Sequence, residues 1–353
     1  MAIKLLIVDD SAIVRDVLSE ALAKYDDIEV VGVAPDPFIA RDKIVQLKPD
    51  VITLDIEMPR MDGITFLERL MSFYPIPVII VSSVTTSDHQ AAIKALEIGA
   101  FDVVNKPGGA LSVGDMVEEI AFKVRQAYEV RFTYVQRRLA FQNRYSSRAP
   151  ARLEPSRHLR SVKTTDKILC LGASTGGTVA LEYLFQRLPA HLPPILIVQH
   201  MPPNFTKQFA QRLNGLSPLE IKEAEDGEIV TSGTVYIAPG GLHLTLERRG
   251  ATLYTKLGTG ERVQFQRPSA DVLFKSAAEV AGQNVVAALL TGMGKDGAEG
   301  LLSLLQAGAF TIAQDEASSV VWGMPGAAVA LGAASEVLPL DHIAARLVEA
   351  LVK

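Results

Sequence analysis

The chain has 353 residues, 48% of them hydrophobic and 21% charged, with a formal net charge of −5. That length exceeds one ordinary core and predicts two domains, three at most, while the acid excess argues against general nucleic-acid binding. The single cysteine, Cys170, leaves no partner for an internal disulfide and no cysteine metal site. The apolar run Ile3–Val8 is too short for a signal-peptide core or a membrane span, so a cytoplasmic protein without membrane insertion is expected.

From Lys4 to about residue 125, short apolar runs alternate with helical patterns. KLLIVD, IEVVGVA, VITLDI, PVIIVSS and FDVVNKP read as strands. SAIVRDVLSEALAKY and ITFLERLMSFY carry amphipathic helical spacing. Five βα units in this length imply a parallel sheet covered on both faces, with ligand chemistry at the carboxyl ends of its strands. Those ends carry charge. The first strand ends in Asp9 and Asp10, the third in Asp55, the fourth in Ser82, and the fifth in Lys106. Three converging carboxylates repel one another and attract a hard divalent cation, which magnesium fits. Such a cation would screen Asp55, and Lys106 with a hydroxyl could hold phosphoryl oxygens. Taken singly, Asp10 or Ser11 could cap the next helix, Asp55 could be a loop acid, and Lys106 a solvated turn residue.

VDDS at 8–11, LDIEMPRMDG at 54–63, Ser82 in VSS and NKP at 105–107 resemble the receiver domain of two-component response regulators. The resemblance covers about residues 1–125. It implies a (βα)5 fold and phosphorylation of Asp55 by a histidine kinase. It further implies magnesium held by Asp9, Asp10 and Asp55, and phosphoryl contacts from Ser82 and Lys106. Many receivers place an aromatic switch residue three before the lysine, where this chain has Val103.

Residues 131–163 hold nine Lys or Arg and one acid, a local charge of +8 against −5 for the whole chain, so the rest carries −13. The first half of this segment could extend the helix that begins near Gly114. The second half, with Pro150, Pro155 and several Ser and Arg, has linker composition. A helical extension and basic linker over 126–165 is expected, a solvated tether or a seam against acidic surfaces rather than a nucleic-acid contact.

From about Asp166 the alternation resumes and predicts a second α/β domain over 166–350. KILCLG, PILIVQH, GTVYIAPG, VVAALLTG and AFTIAQ are strand-like. VALEYLFQRLP, NFTKQFAQRL, ADVLFKSAAEVAG and AEGLLSLLQAG are helix-like. HLTLERRGATLYTKL reads as an inserted β-hairpin. GASTG at 172–176 fits G-x-S-x-G, a nucleophile on a sharp strand-to-helix turn, and marks Ser174. The same turn departs from the P-loop, having Thr178 where that motif needs lysine, and its glycine order departs from the dinucleotide fingerprint. Of six histidines, only His200 directly ends a buried strand in this domain; His243 reads as structural and His191 sits in a Pro-rich turn. TGMGKDGAEG at 291–300 follows another strand and contains Asp296, an orienting acid for His200 or a cap for the following helix. The chain order Ser, His, Asp differs from the Ser, Asp, His order of α/β-hydrolases.

GASTGG at 172–177, QHMP at 199–202 and TGMGKDGA at 291–298 resemble the catalytic domain of CheB, the chemotaxis methylesterase family, and the receiver in front matches its domain order. The implied architecture is a receiver with a doubly wound parallel sheet, then a doubly wound α/β methylesterase domain. The implied activity is hydrolysis of glutamate γ-methyl esters on methyl-accepting chemoreceptors, releasing methanol, with deamidation of receptor glutamines in many members. The resemblance makes Ser174 the nucleophile, His200 the base, Asp296 its orienter and the Met293 backbone N–H an oxyanion donor. It implies no metal for hydrolysis, a CheA-type histidine kinase as phosphodonor, and an unphosphorylated receiver that blocks the catalytic cleft. Two other classes remain open on the residues alone: a DNA-binding response regulator and a nucleotide-binding output domain.

Overall fold

The computed structural model describes residues 2–83, 86–107, 112–145 and 166–352, with the side chains of 86–89 and 142–143 left undescribed. The proline-containing half of the basic linker and His158 lie outside the described residues. The chain divides into two compact units, Met1–Arg138 and Leu139–Lys353.

In the first unit, β1 (Ile3–Val8), β2 (Ile28–Ala34), β3 (Val51–Asp55), β4 (Val78–Ser82) and β5 (Asp102–Asn105) form a parallel sheet in the order β2-β1-β3-β4-β5. Strands β3 and β4 are buried at every position, as expected for the centre of a sheet covered on both faces. The connecting helices are α1 (Ala12–Leu22), α2 (Pro37–Leu47), α3 (Gly63–Phe73) and α4 (Thr86–Ile98). Ser11 caps α1, its hydroxyl accepting from the Val14 N–H. Asp10 is thereby left exposed beside the strand ends.

Helix α5 (Val113–Tyr145) runs 33 residues, so the basic segment continues the helix as far as Tyr145. Within the first unit its side chains grip the backbone around α4 and β5. Lys123 Nζ donates to the Val103 carbonyl at 3.0 Å and pairs with Asp102 at 2.8 Å. The Tyr134 hydroxyl donates to the carbonyls of Gly99 and Ala100, and Arg138 Nη2 to Leu96 O at 3.0 Å, near the C-terminus of α4. Cationic donors suit the unpaired carbonyls of a helix end. Val103, at the usual aromatic position, is a buried member of β5.

The second unit is built on a seven-stranded sheet. It contains β6 (Ile168–Ala173), β7 (Ile195–Gln199), β8 (Glu220–Glu223), β9 (Thr234–Ile237), β12 (Val285–Leu289), β13 (Phe310–Gln314) and β14 (Glu336–Leu338). The order is β14-β13-β12-β6-β7-β9-β8, every pairing parallel. The short edge strands β8 and β14 carry little apolar signal in the sequence. The expected hairpin is the antiparallel pair β10 (His243–Arg249) and β11 (Thr252–Gly258). Around the sheet lie α6 (Gly177–Phe185), α7 (Phe205–Leu216), α8 (Ala270–Ala281), α9 (Ala298–Gln306), α10 (Met324–Ala330) and α11 (Leu340–Val352). Leu273, Phe274, Ala277, Leu301 and Leu304 of α8 and α9 join Cys170, Val285 and Ala287 in one apolar core. Burial pushes the Cys170 thiol up to about 12, consistent with an inert small hydrophobe. No helix among the described residues is long and apolar enough to cross a membrane.

Strand β6 lies between β7 and β12, so the chain leaves it toward one side and returns on the other. The crevice at the carboxyl ends there is the switch point of an open α/β sheet, where ligands bind.

Helices α8 and α9 close on one another at Gly300. A methyl group there would lie 2.7 Å from Phe274 Cβ and 2.9 Å from the Asp271 carbonyl. Intrinsic propensity alone makes Gly→Ala in a helix favourable by up to about 1 kcal/mol. Overpacking of this contact reverses the sign, and Gly300→Ala is expected to cost about 1–3 kcal/mol. Trp322, the only tryptophan, reports unfolding of the second unit in urea; an unchanged or raised midpoint would show that the helices yield.

Candidate active site and acidic cluster

The three catalytic candidates come from three strand–turn–helix junctions: β6 to α6, β7 to α7, and β12 to α9. They are not consecutive, because the chain passes through β8–β11 and α8 between the second and third. They are neighbours in the sheet, since Ala173 pairs with Gln199 and Gly172 with Leu289. The residues that follow these paired strand ends converge.

Ser174 is 7% exposed, with its N–H donating to the Thr291 carbonyl at 3.0 Å. Its carbonyl accepts from Gly177 N at 2.7 Å and from Gln199 Nε2 at 3.0 Å. The turn is sharp at Gly176, which has φ of 79° and would place a Cβ 2.7 Å from Val320 Cβ. Only glycine meets both conditions at low cost. Thr291 ties this turn to the next one, its hydroxyl donating to Thr175 O at 2.9 Å and accepting from Val321 N at 3.0 Å. Gly292 packs on Ser174, because a Cβ there would stand 2.8 Å from that of the serine. The Met293 N–H, one residue on, donates to no acceptor among the described residues.

His200 is buried, and its Nε2 lies 2.7 Å from Asp296 Oδ2. A carboxylate partner assigns the proton to Nε2. Nδ1 is then the basic nitrogen, and it is buried with no hydrogen-bond partner. No hydrogen bond joins it to Ser174 among the described residues; such contacts often tighten only when substrate is bound. Among the described residues the His243 imidazole makes one hydrogen bond, its Nε2 donating to the Glu261 carbonyl at 2.8 Å, in keeping with a structural role. A carbonyl can only accept, so that nitrogen carries the proton.

Asp296 does not cap the helix that follows it; the cap of α9 is Gly297, with no side-chain bond. It caps α8 instead. Oδ2 accepts from Ala270 N at 2.6 Å, and Oδ1 accepts from Ser269 Oγ at 2.6 Å and Asp271 N at 3.2 Å. Burial alone would raise this carboxyl. The His200 hydrogen bond and charge, with the Ser269 and Ala270 donors, outweigh burial and hold it below the ordinary value. Asp271 returns the arrangement: from the first turn of α8 it accepts Gly300 N of α9 at 2.7 Å. Burial, with repulsion from Asp296 adding to it, pushes Asp271 up to about 6. Ser269, Asp271, Thr291 and Gln199 are parts of this site that sequence reasoning missed. The one available signal was Ser269 standing before a helical run as an N-cap.

In the first unit Asp9, Asp10 and Asp55 bring carboxylate oxygens within 4.8 Å of one another. Lys106 Nζ stands 2.9 Å from Asp9 Oδ2 and 2.7 Å from Asp55 Oδ2. Burial pushes Asp55 up to about 6 against the pull of Lys106. Burial pulls Lys106 down, and the Asp55 and Asp9 carboxylates more than offset it, leaving the ammonium above its ordinary value. Ser82 is fully buried at the end of β4, and its carbonyl accepts from Lys106 N at 2.7 Å.

The folded value of Asp271 lies above the 3.8 of an ordinary Asp, so the native state holds this proton more tightly than the unfolded chain. Its ionisation therefore costs stability as pH rises from about 4 to about 6, and the full cost persists above 6. Asp271→Asn keeps an acceptor for Gly300 N and removes the charge. Its stability relative to wild type is expected to improve from pH 4 to pH 6 and then level off, read by urea unfolding of Trp322. A pH-independent difference would contradict the assignment.

The family model for CheB methylesterase matches residues 169–347, and that for the response regulator receiver domain matches residues 5–118. A protein-glutamate methylesterase/protein-glutamine glutaminase from Syntrophus aciditrophicus is 52% identical over 348 residues, 98% of each chain. One from Sulfurimonas denitrificans is 49% identical over 97% of each chain. The crystal structure of the Thermotoga maritima CheB methylesterase catalytic domain superposes with a TM-score of 0.51 at 43% identity, covering 52% of this chain and 97% of that one. These matches put the output unit in a hydrolase family and set aside the DNA-binding and nucleotide-binding classes. With a receiver in front and the methylesterase fold behind, this chain belongs to the CheB methylesterase family.

Proposed function

We propose that this chain is a phosphorylation-activated protein-glutamate methylesterase that also deamidates glutamines, acting in the cytoplasm on methyl-accepting chemoreceptors. It comprises a receiver over 1–125, a helical extension and basic linker over 126–165 and a catalytic domain over 166–350. The observation that carries the reading is the His200–Asp296 pair beside the Ser174 turn at the switch point of the sheet, with Nδ1 of His200 unpartnered.

His200 Nδ1 takes the Ser174 proton as Oγ attacks the γ-carbonyl of the glutamyl methyl ester. Asp296 holds Nε2–H and stabilises the imidazolium that forms. Backbone N–H groups, Met293 among them, stabilise the tetrahedral oxyanion; one such donor is worth about 3 kcal/mol. The intermediate collapses, Nδ1–H protonates the departing oxygen, and methanol leaves a glutamyl-serine ester. Water then gives a proton to Nδ1 and attacks this ester. Collapse returns the proton to Ser174 Oγ and frees the glutamate. With glutamine as substrate, Nδ1–H protonates the amide nitrogen, which leaves as ammonia.

Asp55 is the phosphoacceptor, served by a CheA-type histidine kinase. The clustered oxygens of Asp9, Asp10 and Asp55 suit a hard cation, since the single ammonium of Lys106 reaches only Asp9 and Asp55. Magnesium held there would screen the carboxylates. Lys106 and Ser82 would bind the phosphoryl oxygens. Tenfold activation requires about 1.4 kcal/mol of differential stabilisation between resting and active states.

Methanol release from methylated receptor membranes tests the reading. Wild type is expected to release methanol, faster with a small phosphodonor and magnesium. Ser174→Ala should fall by at least about a thousandfold. Asp55→Asn should keep basal activity without the acceleration. Well-folded wild type that releases none from several receptor preparations would overturn the assignment.

A further inference from the structure

We infer that Ser269 is a positioning residue for hydrolysis, holding the Asp296 carboxylate in the orientation that His200 requires; this rests on the function proposed above. Asp296 accepts four hydrogen bonds, and only one comes from His200. The other three come from the first residues of α8: the Ser269 hydroxyl and the N–H groups of Ala270 and Asp271. The helix terminus adds positive potential at the carboxylate. Of these donors, only Ser269 contributes a side chain, so it alone can be altered without rebuilding the backbone.

Ser269 is fully buried, and its hydroxyl does two things. Its proton goes to Asp296 Oδ1 at 2.6 Å, while its oxygen accepts the Val272 N–H at 3.4 Å as the N-cap of α8. The first bond is short and charge-assisted, and the second is long. The first therefore dominates the placement of the side chain. Oδ2 receives both His200 Nε2 and Ala270 N, so rotation of the carboxylate would break the imidazole contact. Ser269 opposes that rotation by holding the other oxygen. It also draws charge toward Oδ1, away from the imidazole side. Loss of the hydroxyl should leave a carboxylate that is less well oriented and that pulls harder on the His200 proton.

Three substitutions separate positioning from capping. Ser269→Ala removes both bonds. Ser269→Gly removes the hydroxyl at a cap position where glycine is tolerated at little cost. Ser269→Thr keeps the hydroxyl. The charged groups facing Asp296 are His200 from the end of β7 and Asp271 from α8. Lys275 of α8 and Glu299 of α9 pair with each other nearby at 3.1 Å. Each variant is therefore measured again with Asp271→Asn, which removes that titration from the comparison.

With methylated receptor membranes, Ser269→Ala and Ser269→Gly are each expected to lower kcat about tenfold or more with KM unchanged. The acid limb of the kcat profile should move to higher pH, and Ser269→Thr should restore both. A second readout needs no turnover: the proton resonance of His200 Nε2–H should shift in the Ala and Gly variants and return in Thr. If wild type releases no methanol, the proposed function fails, and the resonance alone decides the positioning role. Wild-type kcat in Ser269→Gly, an unmoved acid limb, or an unshifted resonance would each overturn that role and leave Ser269 as a helix cap.

Discussion

The catalytic unit depends on one buried negative charge. Asp296 is 2% exposed and would be costly to bury without compensation. Its compensation comes from two directions: the His200 imidazole, and the N-terminus of α8. Because α8 supplies three of the four donors, the carboxylate is fixed in place with or without a charged His200. Fixed dipoles of this kind need not reorganise when the imidazolium forms, the property that makes a preorganised site effective.

Asp296 and Asp271 exchange helix termini. The acid before α9 serves α8, and the acid in α8 serves α9. This ties two helices that also share the apolar core, and so couples Asp296 to the packing of the unit. The close approach at Gly300 lets the exchange occur. The arrangement is not free: two carboxylates lie near one another, and Asp271 carries the cost as a raised proton affinity. Asp296 escapes that cost by virtue of the imidazole and its extra donors.

The receiver unit solves a related problem differently. Of its clustered carboxylates, the buried pair Asp9 and Asp55 share one ammonium, Lys106, while Asp10 is exposed. Burial raises the Asp55 carboxyl to about 6 against the pull of Lys106. Clustered carboxylate oxygens of this kind suit a hard cation. At the amino-terminal end of β5, α5 holds the backbone of the strand and the end of α4 through Lys123, Tyr134 and Arg138. These contacts, rather than an aromatic side chain at Val103, connect the helix to the strand that carries Lys106.

The sequence by itself determined the alternation of strands and helices, both parallel sheets, and the residues at the strand ends. Ser174, His200, Asp296, Asp9, Asp55 and Lys106 were legible because each stands where an apolar run stops, and the carboxyl ends of parallel strands must converge. The tertiary structure alone decided which strands are neighbours, and so that β12 and β7 flank β6 although some 85 residues separate them in the chain. It also decided the direction of the imidazole, the helix that Asp296 caps, and the parts played by Ser269, Asp271, Gln199 and Thr291. Sequence patterns report local periodicity and the ends of elements. A hydrogen bond between residues 27 positions apart, such as Ser269 to Asp296, is set by how two helices pack, and packing leaves no mark on the spacing of either.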